Sequence, residues 1–381
     1  MLSKSTYFCY NTYGDKMKKL LTICLTIILL SGCQPQYKLY TYSFIGPFDT
    51  VSEYMSYAKS QDEFNKQCQY VEKQLTYYDH LFDKYTTYDN INNIATINQN
   101  AGKNEIKVED PLIDLLSLSI ERNQKISSKV NIGFGSVIDI WHEYREKAQQ
   151  NNGIGKIPSN KQLQEANQHT QIENIHIDKI KKTVYIDDKH MTIDVGAVAK
   201  GYAIELIKDE LIGKGIDNFL LSGGGNVVSH GERKIEKDGE LYLKECRNQY
   251  CVGIESPKDG NYSQNDYEAI LIAHGKSIVT SGDYQRFYKD QKGVKYHHLI
   301  SPDTLFPAIY FRSVSVVCED SGVADFLSSA LFLTEYEEGL KLVESLEGVE
   351  AIWLLDDGKI RMSSGLKDNE EIYVIEKERL K

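Results

Sequence analysis

Apolar residues in this chain recur at helical spacing in four stretches and gather into short unbroken runs in several others. Gln61 to Phe82 carries Phe64, Val71, Leu75 and Leu81 with charges between them, which predicts a helix. Asp110-Pro111 opens a second helix, because proline is tolerated in a first turn, and Leu112, Leu115, Leu116 and Ile120 follow at helical period. Lys200 to Gly213 is a third, through Tyr202, Ile204, Leu206, Ile207 and Leu211. Ser321 to Leu333 is a fourth, with Asp320 and Ser321 as capping residues. Val184 to Ile186 and Met191 to Ile193 read as paired short strands around Asp187-Asp188. Phe219-Leu220-Leu221 reads as a buried strand that ends in Gly223-Gly224-Gly225. Gln34 to Phe44 reads as a tether entering a first strand, and Asn151 to Asn160, rich in Asn and Gly, as a loop. Strands and helices mix without regular βαβ alternation. The expected class is therefore α+β, mixed sheets with helices, in two intimately packed subdomains.

At 381 residues and 41% apolar composition, the chain is long enough for a large buried core. The net charge of -11 argues against a nucleic-acid partner, which calls for a basic face. Met17-Lys18-Lys19, the apolar run Leu20 to Leu30 and then Leu30-Ser31-Gly32-Cys33 follow the order of a secretory signal. The run is shorter than the ~20 residues needed to span a bilayer. Cys33 at its end resembles a bacterial lipobox, which implies cleavage before Cys33 and a lipid on it; an uncleaved anchor helix is the alternative. The expected layout is a signal over 1–32 (with Met17 as the start), a lipidated tether over 33–43 and one domain over 44–381. That places the protein outside the cytoplasmic membrane as an anchored lipoprotein. Of the other cysteines, Cys9 and Cys24 leave with the signal, while Cys68, Cys246, Cys251 and Cys318 remain. Cys246 and Cys251 either close a hairpin or stand as two thiols in neighbouring strands, and their spacing fits no zinc signature.

Three clusters carry candidate chemistry beside the stretch Thr280-Ser281-Gly282-Asp283-Tyr284 and the tandem His297-His298. That stretch lies between the apolar runs Ser277-Ile278-Val279 and Val314 to Val317, which suggests a site on a sheet edge. In Asp194-Val195-Gly196-Ala197-Val198-Ala199-Lys200-Gly201-Tyr202, a loop enters a helix whose free N–H groups favour anions, with Lys200 adding charge. The order of a phosphate-binding P-loop is absent. Gly223-Gly224-Gly225-Asn226 is a turn or a place of close approach. Asp325 and Ser329 are four apart and share a helix face, where a carboxylate and a hydroxyl suit Mg²⁺, although such a pair is also common on a solvated face.

Taken in order, DxGxxxKGY, GGG, TSGDY…HH and ADxxxS resemble the flavin transferase (ApbE) family from about Phe44 to Leu366. The resemblance implies an enzyme that binds FAD and Mg²⁺ and moves FMN onto a Ser or Thr hydroxyl of a target protein, releasing AMP. Implied targets are subunits of Rnf-type or sodium-translocating quinone reductase complexes. By the same resemblance Asp194 and Lys200 contact FAD. Thr280, Ser281, Gly282 and Leu299 contribute further cofactor contacts. The Ala197 carbonyl, Asp325 and Ser329 ligate Mg²⁺, with Ser329 where Thr is usual. Tyr88, in a motif that ends at Asn98, stands near the flavin, and Phe48 replaces a common Met. Asn131 stands where the family commonly has Asp, in a motif closed by Trp141. Ser301 and Leu305 depart from an Asp-Pro-x-Thr-Gly pattern.

Mg²⁺ and Lys200 would offset the charge of the FAD diphosphate and of the leaving AMP. His298 is the first choice of base for the acceptor hydroxyl and Asp283 the second; His298 can also serve simply to order its loop. Tyr284 packs against either the flavin or the core. Two rival functions share these residues: an FAD pyrophosphatase that yields FMN and AMP, and a non-catalytic flavin-binding lipoprotein.

Overall fold

The computed structural model describes residues 37–232, 249–257, 267–273, 275–366 and 372–376. Cys33 and the signal segment lie outside the described residues, as does Cys246. Cys251 is in a disulfide, and Cys68 and Cys318 are buried free thiols.

The strands are β1 (Lys38–Ile45), β2 (Val51–Ala58), β3 (Ile106–Lys107), β4 (Ile175–Asp178), β5 (Thr183–Ile186), β6 (Phe219–Gly223), β7 (Asn226–His230), β8 (Cys251–Glu255), β9 (Tyr267–Ala273), β10 (Ser277–Gly282), β11 (Phe287–Lys289), β12 (Lys295–His297), β13 (Ser313–Cys318), β14 (Glu350–Leu354), β15 (Ile360–Met362) and β16 (Ile372–Glu376). The helices are α1 (Gln61–Phe82), α2 (Ile94–Gln99), α3 (Asp110–Lys125), α4 (Gly135–Gln149), α5 (Asn160–Asn167), α6 (Ala199–Gly213), α7 (Ser321–Phe332) and α8 (Tyr336–Glu344). The α+β class and the four predicted helices are present, α1 with the boundaries its periodicity gives.

An eight-stranded antiparallel sheet in the order β1-β2-β6-β7-β10-β13-β14-β15 forms the centre. Side chains alternate across it. Val279 and Val316 join the main apolar core with α1, α3, α6 and α7. Ile278 and Val317 point into a smaller core with Leu271 and Ile352. A third cluster joins α4 to the β11–β12 hairpin around Trp141, Tyr288 and Leu305.

Two local expectations change. β10 is paired on both sides, to β7 and β13, so the Thr280 cluster sits at the end of an interior strand and not on a sheet edge. Met191 to Ile193 is not a strand, and β5 pairs instead with β3 and β4. The Asn98 amide takes the place of a strand partner: its Oδ1 accepts from Ile193 N–H at 2.8 Å and its Nδ2 donates to Ile193 O at 3.0 Å. A single side chain thus satisfies both backbone groups of Ile193.

Candidate active site

Loops and element ends from both halves of the chain enclose one large cavity of about 600 Å³. Its wall includes Phe48, Tyr88, Asn131, Asp194, Ala197, Lys200, Thr280, Ser281, Gly282, His298, Leu299, Asp325 and Ser329. Residues scattered over the sequence therefore meet in one place.

One corner is built by the crossing of α6 and α7. A Cβ on Gly201 would stand 2.3 Å from Ser321 O and 2.4 Å from Asp325 Cβ, so only glycine permits the approach. The approach lets Gly201 N–H, in the open first turn of α6, donate to Asp325 Oδ2 at 2.7 Å. α7 is buried on nearly every side, and Asp325 is only 5% exposed. The solvated-face reading of Asp325 and Ser329 is thereby removed. Burial raises the Asp325 carboxyl pKa, against the opposing pull of the Lys200 ammonium and the Gly201 N–H. Burial lowers the Lys200 pKa, with Asp325 opposing. Lys200 Nζ donates to Gly224 O at 2.9 Å. Gly224 and Gly225, at φ 53° and 92°, form the two-residue turn joining β6 to β7 that needs positive φ at both positions.

The hydroxyl of Ser281 lies 2.8 Å from that of Ser328 and 3.3 Å from that of Ser329, while Thr280 pairs with Ser315 at 2.7 Å. These hydroxyls are tied into the wall rather than poised as nucleophiles. Asp325, Ser329 and the Ala197 backbone supply only hard oxygens. That donor set, with its carboxylate buried, fits Mg²⁺ held jointly with substrate phosphate.

Asp194 is held differently. Lys84, two residues past the end of α1, reaches Asp194 Oδ2 at 2.9 Å and Asp139 Oδ1 at 2.6 Å. Burial would raise the Asp194 pKa, but the Lys84 ammonium and the Gly196 N–H hold it low, so this carboxylate stays ionised.

The two adjacent histidines have separate roles. His297 donates from Nε2 to Ala308 O at 2.8 Å and accepts at Nδ1 from Leu299 N–H at 3.2 Å, which fixes its tautomer and makes it structural. His298 faces the cavity, and its Nδ1 is buried without a hydrogen-bond partner. Burial, and then Arg286, His297, Arg145 and Lys200, hold its pKa well below the ordinary imidazole range. The ring is therefore neutral at physiological pH.

Asp283, the second choice of base, is corrected by the structure. It lies outside the cavity wall, bound by Lys295 at 2.5 Å and by Arg312 Nε at 3.0 Å. A carboxylate held by two cations is a poor proton acceptor. Tyr284 is buried against Gly282, on the core side. Asn131 reaches the wall, but its amide is committed: Nδ2 donates to Thr170 O at 2.8 Å and Oδ1 accepts from Gly133 N–H at 2.8 Å. Tyr88 donates to Asp83 at 2.9 Å, and His80 covers one face of its ring at 3.8 Å. Phe48 adopts φ 57°, held by Asp79 on its N–H at 3.0 Å and by Arg286 on its carbonyl at 3.1 Å. Leu305, where the family pattern has glycine, keeps the left-handed backbone at φ 63° and adds its side chain to the Trp141 cluster. Ser301 Oγ accepts from Asp303 N–H at 3.3 Å, as an aspartate there could.

The sequence reading missed Lys84, His142, Arg145 and Arg286, all in the wall. Signals for two of them were present. Arg145 follows Trp141 by four residues on one helix face, and Arg286 lies two residues past the Thr280–Tyr284 stretch. Nothing local marks Lys84, whose partners are 55 and 110 residues away.

The sequence model of the ApbE family matches residues 48–353. The chain belongs to the ApbE family. It is 29% identical over 283 residues to the FAD:protein FMN transferase of Treponema pallidum, covering 72% of this chain and 74% of that protein. It is 25% identical over 279 residues to the enzyme of the same name from Klebsiella pneumoniae, covering 71% of this chain and 77% of that one. The fold matches an ApbE protein from Thermotoga maritima with a TM-score of 0.71 at 21% identity, over 86% of this chain and 97% of the other. It also matches the flavin transferase ApbE of Vibrio cholerae with a TM-score of 0.67 at 21% identity, over 86% and 98%. The ApbE fold and an α+β architecture are thus established for this chain.

Proposed function

We propose that this protein is an FAD:protein FMN transferase with FAD and an acceptor Ser or Thr as substrates. The observation that carries the reading is His298: a neutral imidazole with an unpartnered nitrogen, in the same cavity wall as Lys200 and Asp325. The names of the Treponema and Klebsiella relatives support it.

His298 takes the proton from the acceptor hydroxyl. The hydroxyl oxygen forms a bond to the flavin-bearing phosphorus, and the bond from that phosphorus to the bridging oxygen breaks. AMP departs with the bridging oxygen. Lys200, half-buried in the wall, faces the charge that accumulates on the departing phosphate. Asp194 stays ionised through Lys84 and orients substrate donors. The Ala197 carbonyl, Asp325 and Ser329 would hold Mg²⁺, which when bound supplies Lewis-acid neutralisation of the diphosphate.

The same reading includes acceptors among subunits of Rnf-type or sodium-translocating quinone reductase complexes, and export with a lipid on Cys33. No helix among the described residues is long and apolar enough to cross a membrane.

Release of AMP from FAD on addition of a Ser/Thr-Gly-Ala-Thr acceptor separates catalysis from storage. Wild-type protein should form AMP, while Asp325→Ala should be slower by about 100-fold or more, the scale of several kcal/mol of lost metal assistance. Tight FAD binding with no AMP from any acceptor would mark a binding protein. Full Mg²⁺-dependent turnover by Asp325→Ala would refute the metal corner.

A further inference from the structure

Five cations line the cavity, and two are already neutralised: Lys84 by Asp194 and Asp139, and Lys129 by Asp303. The other three are hydrogen-bonded only to neutral acceptors. Arg145 Nη2 donates to His142 Nδ1 at 2.7 Å, Arg286 Nη2 to Phe48 O at 3.1 Å and Lys200 Nζ to Gly224 O at 2.9 Å. None of the three forms an ion pair among the described residues. They also sense one another: Arg286 disfavours the charge on both Arg145 and Lys200, and all three disfavour protonation of His298. Carboxylates act on Lys200 and Arg145 only from beyond ion-pair distance, and like charges gathered without a salt-bridge partner favour binding of an anion. Two of them are arginines. Each uses a single donor of five, which leaves a planar fork suited to two phosphate oxygens.

We propose that Arg145 and Arg286 form a guanidinium clamp on the diphosphate of the substrate, separate from the Asp325 corner and effective without metal. The proposal rests on FAD being the substrate. Arg286 comes from the loop after β10, and its bond to Phe48 O couples the clamp to the β1–β2 turn. Arg145 comes from α4, where Tyr85 stacks on His142 at 4.7 Å and steadies the arginine's acceptor. The clamp therefore joins three separate parts of the chain around one anion.

Calorimetric titration of the full protein with ADP and with riboflavin, each with Mg²⁺ and with EDTA, tests the clamp. Wild-type protein should keep measurable ADP affinity in EDTA. Arg286→Gln and Arg145→Gln should each weaken ADP by about tenfold or more, the size of a charged hydrogen bond, with riboflavin affinity unchanged. Arg286→Lys should recover part of the loss. Arg286 is exposed at the rim, so its replacement leaves folding intact and decides the matter even if Arg145→Gln unfolds. Unchanged ADP affinity in Arg286→Gln, or a parallel loss for riboflavin, overturns the clamp. Normal flavin transfer with no change in ADP affinity sinks the clamp alone. Arginine-dependent ADP binding without any flavin transfer sinks the transferase reading and leaves the clamp standing.

Discussion

Gly201 and Asp325 meet where α6 crosses α7: the glycine N–H donates to the carboxylate at 2.7 Å, and no β-carbon fits between the helices. The same contact closes the core and positions the candidate metal ligand. Gly201→Ala should therefore destabilise the fold by about 1–3 kcal/mol, typical of overpacking, and also displace Asp325. Denaturant unfolding measures the first effect. The apparent Mg²⁺ affinity in turnover, which should weaken in the variant, measures the second.

Neutral His298 sets the acid limb of activity. Its pKa lies below the ordinary range, so kcat/KM should hold down through pH 6.5 and fall only at lower pH as the imidazole gains its proton. Arg286 is one of the cations opposing that proton. Its removal makes protonation easier and raises the pKa, so Arg286→Gln should move the acid limb to higher pH. A pH profile of both proteins checks the sign, and a shift in the opposite direction would remove His298 as the group observed.

Lys84 holds two carboxylates together from a side chain only 9% exposed. Lys84→Met leaves Asp139 and Asp194 facing each other with no cation. The cost should be about 2–4 kcal/mol, slightly under that of breaking a fully buried pair because Asp139 keeps some solvent. Burial raises the Asp194 pKa once Lys84 no longer holds it low, so the variant's stability should recover in part as pH falls and Asp194 takes a proton. Unfolding midpoints between pH 5 and 8 follow this.

Asn131 differs from the aspartate common in the family, and the structure supplies a reason. Its Nδ2 satisfies the carbonyl of Thr170. Asn131→Asp replaces a donor with a charged acceptor against that carbonyl, and should cost about 1–3 kcal/mol in thermal or denaturant unfolding. A neutral or stabilising result would show that the loop can rearrange to accept the family residue.

Helices with an apolar face were legible, because α1 and α3 bury one stripe each and the stripe is written at period 3.6. α7 was legible as a helix but not as a buried one: its Asp325 and three serines suggested solvent, and only packing on β10, β13 and α6 shows otherwise. The strand assigned to Met191–Ile193 failed because one side chain, Asn98, replaced a strand partner from 95 residues away. Family motifs brought most of the wall together. They singled out His298 but could not exclude Asp283, since that distinction depends on Lys295 and Arg312 as neighbours.

The central claim is transfer of FMN to protein. The direct measurement is the mass of an acceptor bearing a Ser/Thr-Gly-Ala-Thr segment after incubation with the protein, FAD and Mg²⁺, with AMP quantified in the same sample. The acceptor should gain the mass of one covalently bound FMN, with one AMP released for each, and both changes should be lost in His298→Ala. Free FMN and AMP in equal amounts, with the acceptor mass unchanged, would contradict it.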